Sequence, residues 1–322
     1  MQAMEARPRV STRSSVWFSI AFVFAVFLTF CTSLWLASLP ALVKQTDSAA
    51  GYGHRAAGIA CEVLIYGDST AEYGINPFVI ERTTGLKACD IAEARPTEDF
   101  VGTFFPVDDY LAHNPPPRYL LTTWTTADLH LDRTPSFTDN ADGFDYAIRY
   151  DRGPWLWRGM LLHPGDTLSL VAFESREIMG AVRRVFTFRG KQAEGVRAVR
   201  DRQRGWLEGS GPGQTACVGV PKFDVPSTYA LNRQGVEAFR KRYEARGIKV
   251  IIDVSPAADC VTNLQQNLAS IRGLYDNRFE ALPINNFVDR DVHLFGKSAT
   301  HYSEETASQI LALLKEEHGT KL

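Results

Sequence analysis

Metal-binding patterns are missing from this sequence. Its five cysteines include no Cys-x-x-Cys pair and its seven histidines form no His-rich tract, so neither a metal nor a cofactor is expected. Formal charge nearly cancels, at −2 over 322 residues. Charge is absent altogether from Val16 to Leu39. As a helix that run reaches about 36 Å, enough for a bilayer core of roughly 30 Å. Trp17 and Trp35 lie near its ends, as interfacial aromatics do. Arg7, Arg9 and Arg13 precede it against Glu5 alone, which keeps the N-terminus in the cytoplasm and sends the remainder across. The run is longer than the roughly 7–15 residues of a signal-peptide core, although Ala37-Ser38-Leu39-Pro40-Ala41 offers small residues for cleavage, so an uncleaved anchor is expected. The organisation is then a cytoplasmic tail at 1–15, a transmembrane signal anchor at 16–39, a linker at 40–60 and an exported domain at 61–322. Nucleic acid is not an expected partner on the far side of a membrane.

Cysteine usage agrees with export. Cys31 lies inside the apolar run, while Cys61, Cys89, Cys217 and Cys260 follow it, where disulfides form. Cys61 opens one predicted strand and Cys89 lies in the next, so Cys61–Cys89 is expected, with Cys217–Cys260 left as the second pair.

The stretch Val63-Leu64-Ile65-Tyr66 has the length and composition of a buried strand, and Gly67 ends it. Ser69 of Gly67-Asp68-Ser69 then sits at the carboxyl end of a strand, the edge at which open α/β sheets bind ligands. The same three residues also suit an ordinary turn. Asn76-Pro77 reads as an N-cap with proline at the first helical position, and Gly85 as the stop. Pro96 to His113 reads as helical with a break or kink at Pro106. Further strands are predicted at Arg118–Trp124 and Ile248–Val254, with helices at Asn232–Arg246 and about Leu264–Leu274. Pro283 to Asp289 supplies a last strand or extended loop, and Ser303 caps the final helix with Glu304 and Glu305 in its first turn. This alternation predicts an α/β fold with a central parallel sheet.

The section at about 131–225 breaks the rhythm and reads as a helical insertion. Within it, Arg176 to Arg204 holds nine basic against three acidic residues, either a solvated helical face or a surface for anionic lipid or acidic polysaccharide. His113, His130 and His163 have no partner spacing and read as structural.

Gly67-Asp68-Ser69 after a first strand, with His293-Leu294 shortly before a terminal helix, resembles the SGNH/GDSL hydrolase superfamily. Ala299, Tyr302-Ser303 and Ala307 fall where those proteins place small, aromatic, hydroxyl and small residues, and Asp253-Val254-Ser255-Pro256 with Cys260 looks like bacterial envelope members. The similarity covers about Cys61–Leu129 and Thr228–Leu314. It implies a flavodoxin-like three-layer sandwich, with Ser69 as nucleophile and His293 as base. A serine hydroxyl needs a base to take its proton, and the imidazole needs a carboxylate to fix its tautomer. The superfamily's acid three residues before the histidine is Arg290 here, so Asp291 is preferred, with Asp289 as the alternative. His301, in Thr300-His301-Tyr302-Ser303, is the alternative base. The oxyanion donor is the Ser69 backbone, and its other members are unassigned. The second-block glycine is unmatched in Ile91-Ala92-Glu93-Ala94-Arg95, and Thr123-Trp124-Thr125-Thr126 stands where a Gly-x-Asn-Asp block is expected.

The resemblance implies a membrane-anchored SGNH-type esterase or O-acyltransferase of the bacterial cytoplasmic membrane, its C-terminal domain periplasmic or extracellular. The substrates implied are acyl groups, acetyl first, on an exopolysaccharide or other envelope glycan, with a membrane acyl-donor protein as a further partner. The other reading is a non-catalytic SGNH-like polysaccharide-binding or assembly subunit.

Overall fold

Four short apolar runs, each flanked by polar or glycine punctuation, assemble side by side and fix the architecture. The computed structural model describes residues 12–37, 52–92, 105–126, 129–132, 198–209, 213, 229–231, 233–261, 264–289, 293–294 and 296–319. In chain order its elements are α1 (Thr12–Ala37), α2 (Tyr52–Arg55), β1 (Val63–Gly67), α3 (Ser69–Gly74), α4 (Pro77–Thr84), β2 (Ala88–Asp90), α5 (Phe105–His113), β3 (Tyr119–Trp124), β4 (His130–Asp132) and β5 (Tyr229–Leu231). They continue with α6 (Arg233–Glu244), β6 (Lys249–Val254), β7 (Ala257–Ala258), α7 (Leu264–Ser270), β8 (Ala281–Leu282), a 3-10 turn (Ile284–Asn286), β9 (Phe287–Asp289), β10 (His293–Leu294) and α8 (Gly296–Gly319).

The central sheet has the order β2-β1-β3-β6, and every pair in it is parallel. Both faces are covered, which is why β1 and β3 are buried along their whole length and apolar without alternation. Side chains still divide by period two. Val63 and Ile65 pack on one face with Ala71 of α3, Ile80 of α4, Ala299 and Ile310 of α8, and Ile75 between α3 and α4. Leu64 and Tyr66 pack on the other with Tyr52, Tyr110, Phe239 and Tyr243. Each such aliphatic side chain contributes about 1.5–3 kcal/mol by leaving water.

Cap chemistry sets the helix ends near the site. Asn76 accepts from Phe78 N at 2.9 Å, Pro77 fills the first position, and Gly85 closes α4 in left-handed backbone, as the Asn-Pro and Thr-Gly pattern predicts. Pro106 lies near the start of the described helix α5, and residues 96–104 of the expected helix lie outside the described residues. Ser303 is no cap. The helix α8 begins seven residues earlier at Gly296, and Ser303 Oγ lies inside it, within reach of Ala299 O and Gly74 O and accepting from Asn76 N at 2.8 Å. Its hydroxyl stitches α8 to the junction of α3 and α4. At the far end Glu317 receives Arg118 at 2.5 Å and the Tyr119 hydroxyl at 3.0 Å.

The expected last strand does not join the sheet. Instead β9 pairs antiparallel with β10 as a separate ribbon. The free edge of β6 is closed by side chains: Asp276 accepts from Ile252 N, and Asn277 both accepts from Val254 N and donates to Val254 O. Capping of this kind removes an edge open to foreign strands.

Part of the stretch expected as linker belongs to the core, because Tyr52 and Ala56 are buried. Cys61–Cys89 is a disulfide with a Cα separation of 5.9 Å. Cys260 is also disulfide-bonded; Cys217, its expected partner, lies outside the described residues, as do most of the insertion and His163. The helix α1 is 26 residues long, and Val16, Trp17, Phe18, Phe22, Phe24, Phe27, Leu28 and Trp35 stand exposed on it. Judged on the described residues, no helix is long and apolar enough to cross a membrane.

Candidate active site

The site is built where β1 ends. Gly67 has φ +144°, and a Cβ there would lie 2.0 Å from Thr123 O, so only glycine lets β1 approach β3 this closely. The next residue, Asp68, is the N-cap of α3. One of its oxygens accepts from Thr70 N at 2.7 Å and from Thr70 Oγ1 at 2.5 Å, and the other accepts from Thr125 N at 3.1 Å. One carboxylate therefore starts the helix and ties it to the end of β3. Sequence reading singled out Asp68 only as part of a motif; the signal for its role is an N-cap residue followed by a short run with no proline.

Ser69 is the first residue of α3, and its N–H, being in the first turn, has no acceptor within the helix. Its Oγ meets His293 Nε2 at 2.8 Å. The half-buried imidazole lies in β10 and is packed by the ring of Tyr73, tilted, with centroids 4.7 Å apart. At that distance the imidazole is placed to take the serine proton.

Among the other predicted site residues, Asp291 lies outside the described residues. Asp289 is described by its backbone, which pairs with His293 across the β9–β10 ladder. Asp289 and His293 thus face each other on two antiparallel strands, where the sequence was read as one extended segment. His301 is not brought to Ser69. Its exposed ring, on α8, has Nε2 3.9 Å from Glu280 and 3.7 Å from Glu305. Glu280, His301 and Glu305 are the described residues whose donor atoms cluster closely enough for a metal, within 4.8 Å. His301 and Glu305 are both solvent-exposed, and the three make an ordinary surface ion-pair set. His113 bonds Asp109 O at 2.8 Å as a structural residue.

The segment Thr123–Thr126, which stands where a Gly-x-Asn-Asp block was sought, is occupied otherwise. Thr122 and Thr123 are buried in β3, Trp124 packs edge-on against Tyr66, and the Thr125 N–H is held by Asp68. Behind them lies a polar cluster whose residues belong to quoted motifs but were given no role in the site. Asp253, at the end of β6, is fully buried, and neither oxygen has a partner in full hydrogen-bond geometry. Burial pushes its carboxyl up to about 8, against the opposing pull of the Gln309 amide. Tyr302, also buried, has its hydroxyl raised far above the ordinary range by burial and then by Asp253. A cleft of about 800 Å³ runs beside this cluster, lined by Asp276, Phe279, Glu280, Tyr302, Glu305 and Gln309 among others, but not by Ser69 or His293.

The basic run contributes to the site from within. Arg200 is fully buried and pairs with Glu72 at 2.9 Å, and Arg204 pairs with Glu81 beneath the Phe78 ring. For these two residues the solvated-face and lipid-surface readings are both corrected, since backbone acceptors and acidic partners on the sheet domain take up their guanidinium groups. Comparison with protein-family models, curated proteins and solved structures gives no match to this chain.

Proposed function

We propose that this protein is a serine esterase or O-acyltransferase of SGNH type, anchored in a bacterial cytoplasmic membrane by the uncharged run Val16–Leu39 and acting outside it on acylated envelope glycans. The observation that carries the reading is the 2.8 Å contact of Ser69 Oγ with His293 Nε2 at the carboxyl edge of a parallel sheet. Ser69 attacks the acyl carbonyl, His293 takes its proton, and the alkoxide of the leaving alcohol recovers that proton as the acyl-enzyme forms. Water or a sugar hydroxyl then accepts the acyl group by the reverse transfer. Asp291 is the proposed carboxylate on His293, and the Ser69 N–H the proposed oxyanion donor.

Support for the anchor comes from the uncharged run Val16–Leu39 and the exposed aromatic side chains of α1. Export is supported by Cys61–Cys89, since structural disulfides belong to oxidising compartments. Acetylated exopolysaccharide is the expected substrate class, and a membrane acyl-donor protein the expected partner.

The test exposes the full chain, in isolated membranes, to a serine-reactive fluorophosphonate. The expected result is one adduct at Ser69, lost in Ser69→Ala and reduced about 10⁴-fold in rate in His293→Ala. Folded wild type that takes up no label removes the catalytic reading. One observation favours the second reading, a binding subunit: the Thr125 N–H is already bonded to Asp68, and loss of one oxyanion donor costs about 10²–10³ in turnover.

A further inference from the structure

We infer that residues 198–209, part of the sequence insertion, form a brace that sets the Ser69–His293 pair, with Arg200 as its positioning residue. The inference deepens the serine-nucleophile reading and rests on it for its catalytic meaning. A six-residue helix such as α3 does not hold itself, because nucleation is too costly for so few hydrogen bonds. Its N-terminal end is fixed by Asp68. Its C-terminal end is fixed by the brace.

Three contacts do this. Arg200 Nη1 lies 2.9 Å from the Glu72 carboxylate, with both side chains buried. Leu207 N donates to Glu72 O at 3.1 Å, and Trp206 Nε1 donates to Tyr73 O at 3.2 Å. Tyr73 is the residue whose ring packs on His293. The same segment also meets the histidine strand: a Cβ at Gly209 would lie 2.7 Å from Leu294 O. The brace therefore grips the helix that carries Ser69 and the strand that carries His293.

Arg200 makes the brace rigid. Its Nε donates to Gly205 O at 2.7 Å and its Nη2 donates to Ala92 O, so one planar guanidinium joins the brace, the end of β2 and α3. Arg204 N-terminal to Gly205 has φ 54°, and a Cβ at Gly205 would lie 1.6 Å from Asp90 O. That tight turn lets Arg204 O accept from Asp90 N at 2.8 Å, which fastens the brace to the sheet. Asp90, the other acid near Arg200, has its carboxyl raised by burial against the opposing pull of Arg200 and the Ala92 N–H.

The experiment uses the full chain in detergent, labelled with ¹⁵N-histidine, with the His293 signal identified by its absence from His293→Ala. Replacing the pair as Glu72→Gln with Arg200→Met removes both charges of the Arg200–Glu72 contact together. In the folded double variant the Nε2 resonance is expected to move to its position in Ser69→Ala, and Ser69 labelling by the fluorophosphonate to slow about 10²-fold, the cost of a displacement near 1 Å. Neutralising Asp108 with Arg242, an ion pair on the other face of the sheet, leaves both unchanged. An unmoved resonance in the folded double variant overturns the proposal. If the double variant does not fold, Trp206→Phe, which deletes a single N–H donor, and Gly209→Ala, which presses on Leu294 O, decide the question by the same two readouts; no change in either overturns it. Wild type that shows the His293 shift dependence but takes no label would sink the catalytic reading while leaving the brace standing.

Discussion

At Gly67 a methyl group would lie 2.0 Å from Thr123 O, and the backbone has φ +144°. Gly67→Ala must therefore either part β1 from β3 or abandon its dihedral, each with a cost of about 1–3 kcal/mol. A loss of at least about 2 kcal/mol in urea unfolding is expected, together with slower labelling of the neighbouring Ser69; a stability change within 0.5 kcal/mol refutes the close approach. Asp253 behaves differently, since its effect depends on pH. Its carboxyl is raised to about 8 in the folded protein, against about 3.9 when unfolded. The folded state thus holds a proton that the unfolded state releases, so this residue's contribution is complete below pH 4 and is lost as pH rises toward 8. The slope is at most about 1.4 kcal/mol per pH unit. In Asp253→Asn that slope should vanish, so the variant gains on wild type between pH 5 and 8 in paired denaturation curves. Parallel pH profiles would show that Asp253 ionises normally.

Among the elements, the disulfide Cys61–Cys89 has the clearest energetic role. It closes a loop spanning 28 positions that contains Ser69, α3 and α4. In the chain-entropy account such a closure contributes about 3–4 kcal/mol. Replacing both cysteines by alanine should lower stability in urea by that order, and a difference under 1 kcal/mol would mean the unfolded loop is already confined. Adjacent strands made this pair legible in the sequence, as the Asn76-Pro77 cap made α4 legible. Where local chemistry is ambiguous, reading failed. A serine that bonds back into its own helix has the same sequence as one that caps a helix, and so Ser303 was placed at a start that is in fact Gly296. The β9–β10 ribbon was read as one extended piece because strands of three and two residues are too short to show a period. Long-range pairing was harder still. A run of arginines looks solvated until the fold supplies Glu72 and the carbonyls of Ala92 and Gly205, more than a hundred residues away for the first two.

At the scale of the whole molecule, the proposed anchor would hold a sheet domain beside a membrane. The helix α1 exposes Trp17, Phe18, Phe22, Phe24 and Phe27, side chains that water does not stabilise in such density. Under the proposed anchoring a bilayer would cover them, and the arginines on the N-terminal side would set the direction of insertion. Only residues 38–51 separate Ala37 from Tyr52, so anchoring through the apolar run would keep the sheet domain close to the membrane surface. Substrates delivered at that surface, such as a polysaccharide leaving its exporter, would meet Ser69 at high effective concentration. Two outcomes follow for the full chain expressed in a bacterium. It should sediment with membranes and resist alkaline carbonate. A protease added outside spheroplasts should reach the sheet domain and leave a tag before Arg7 intact. Replacing Val23 and Phe24 with aspartates would add two charges near the centre of the apolar run at about 2.5–3.5 kcal/mol each. That variant should leave the membrane fraction. If it stays, the attachment lies in the sheet domain or a partner protein, and α1 is not the anchor.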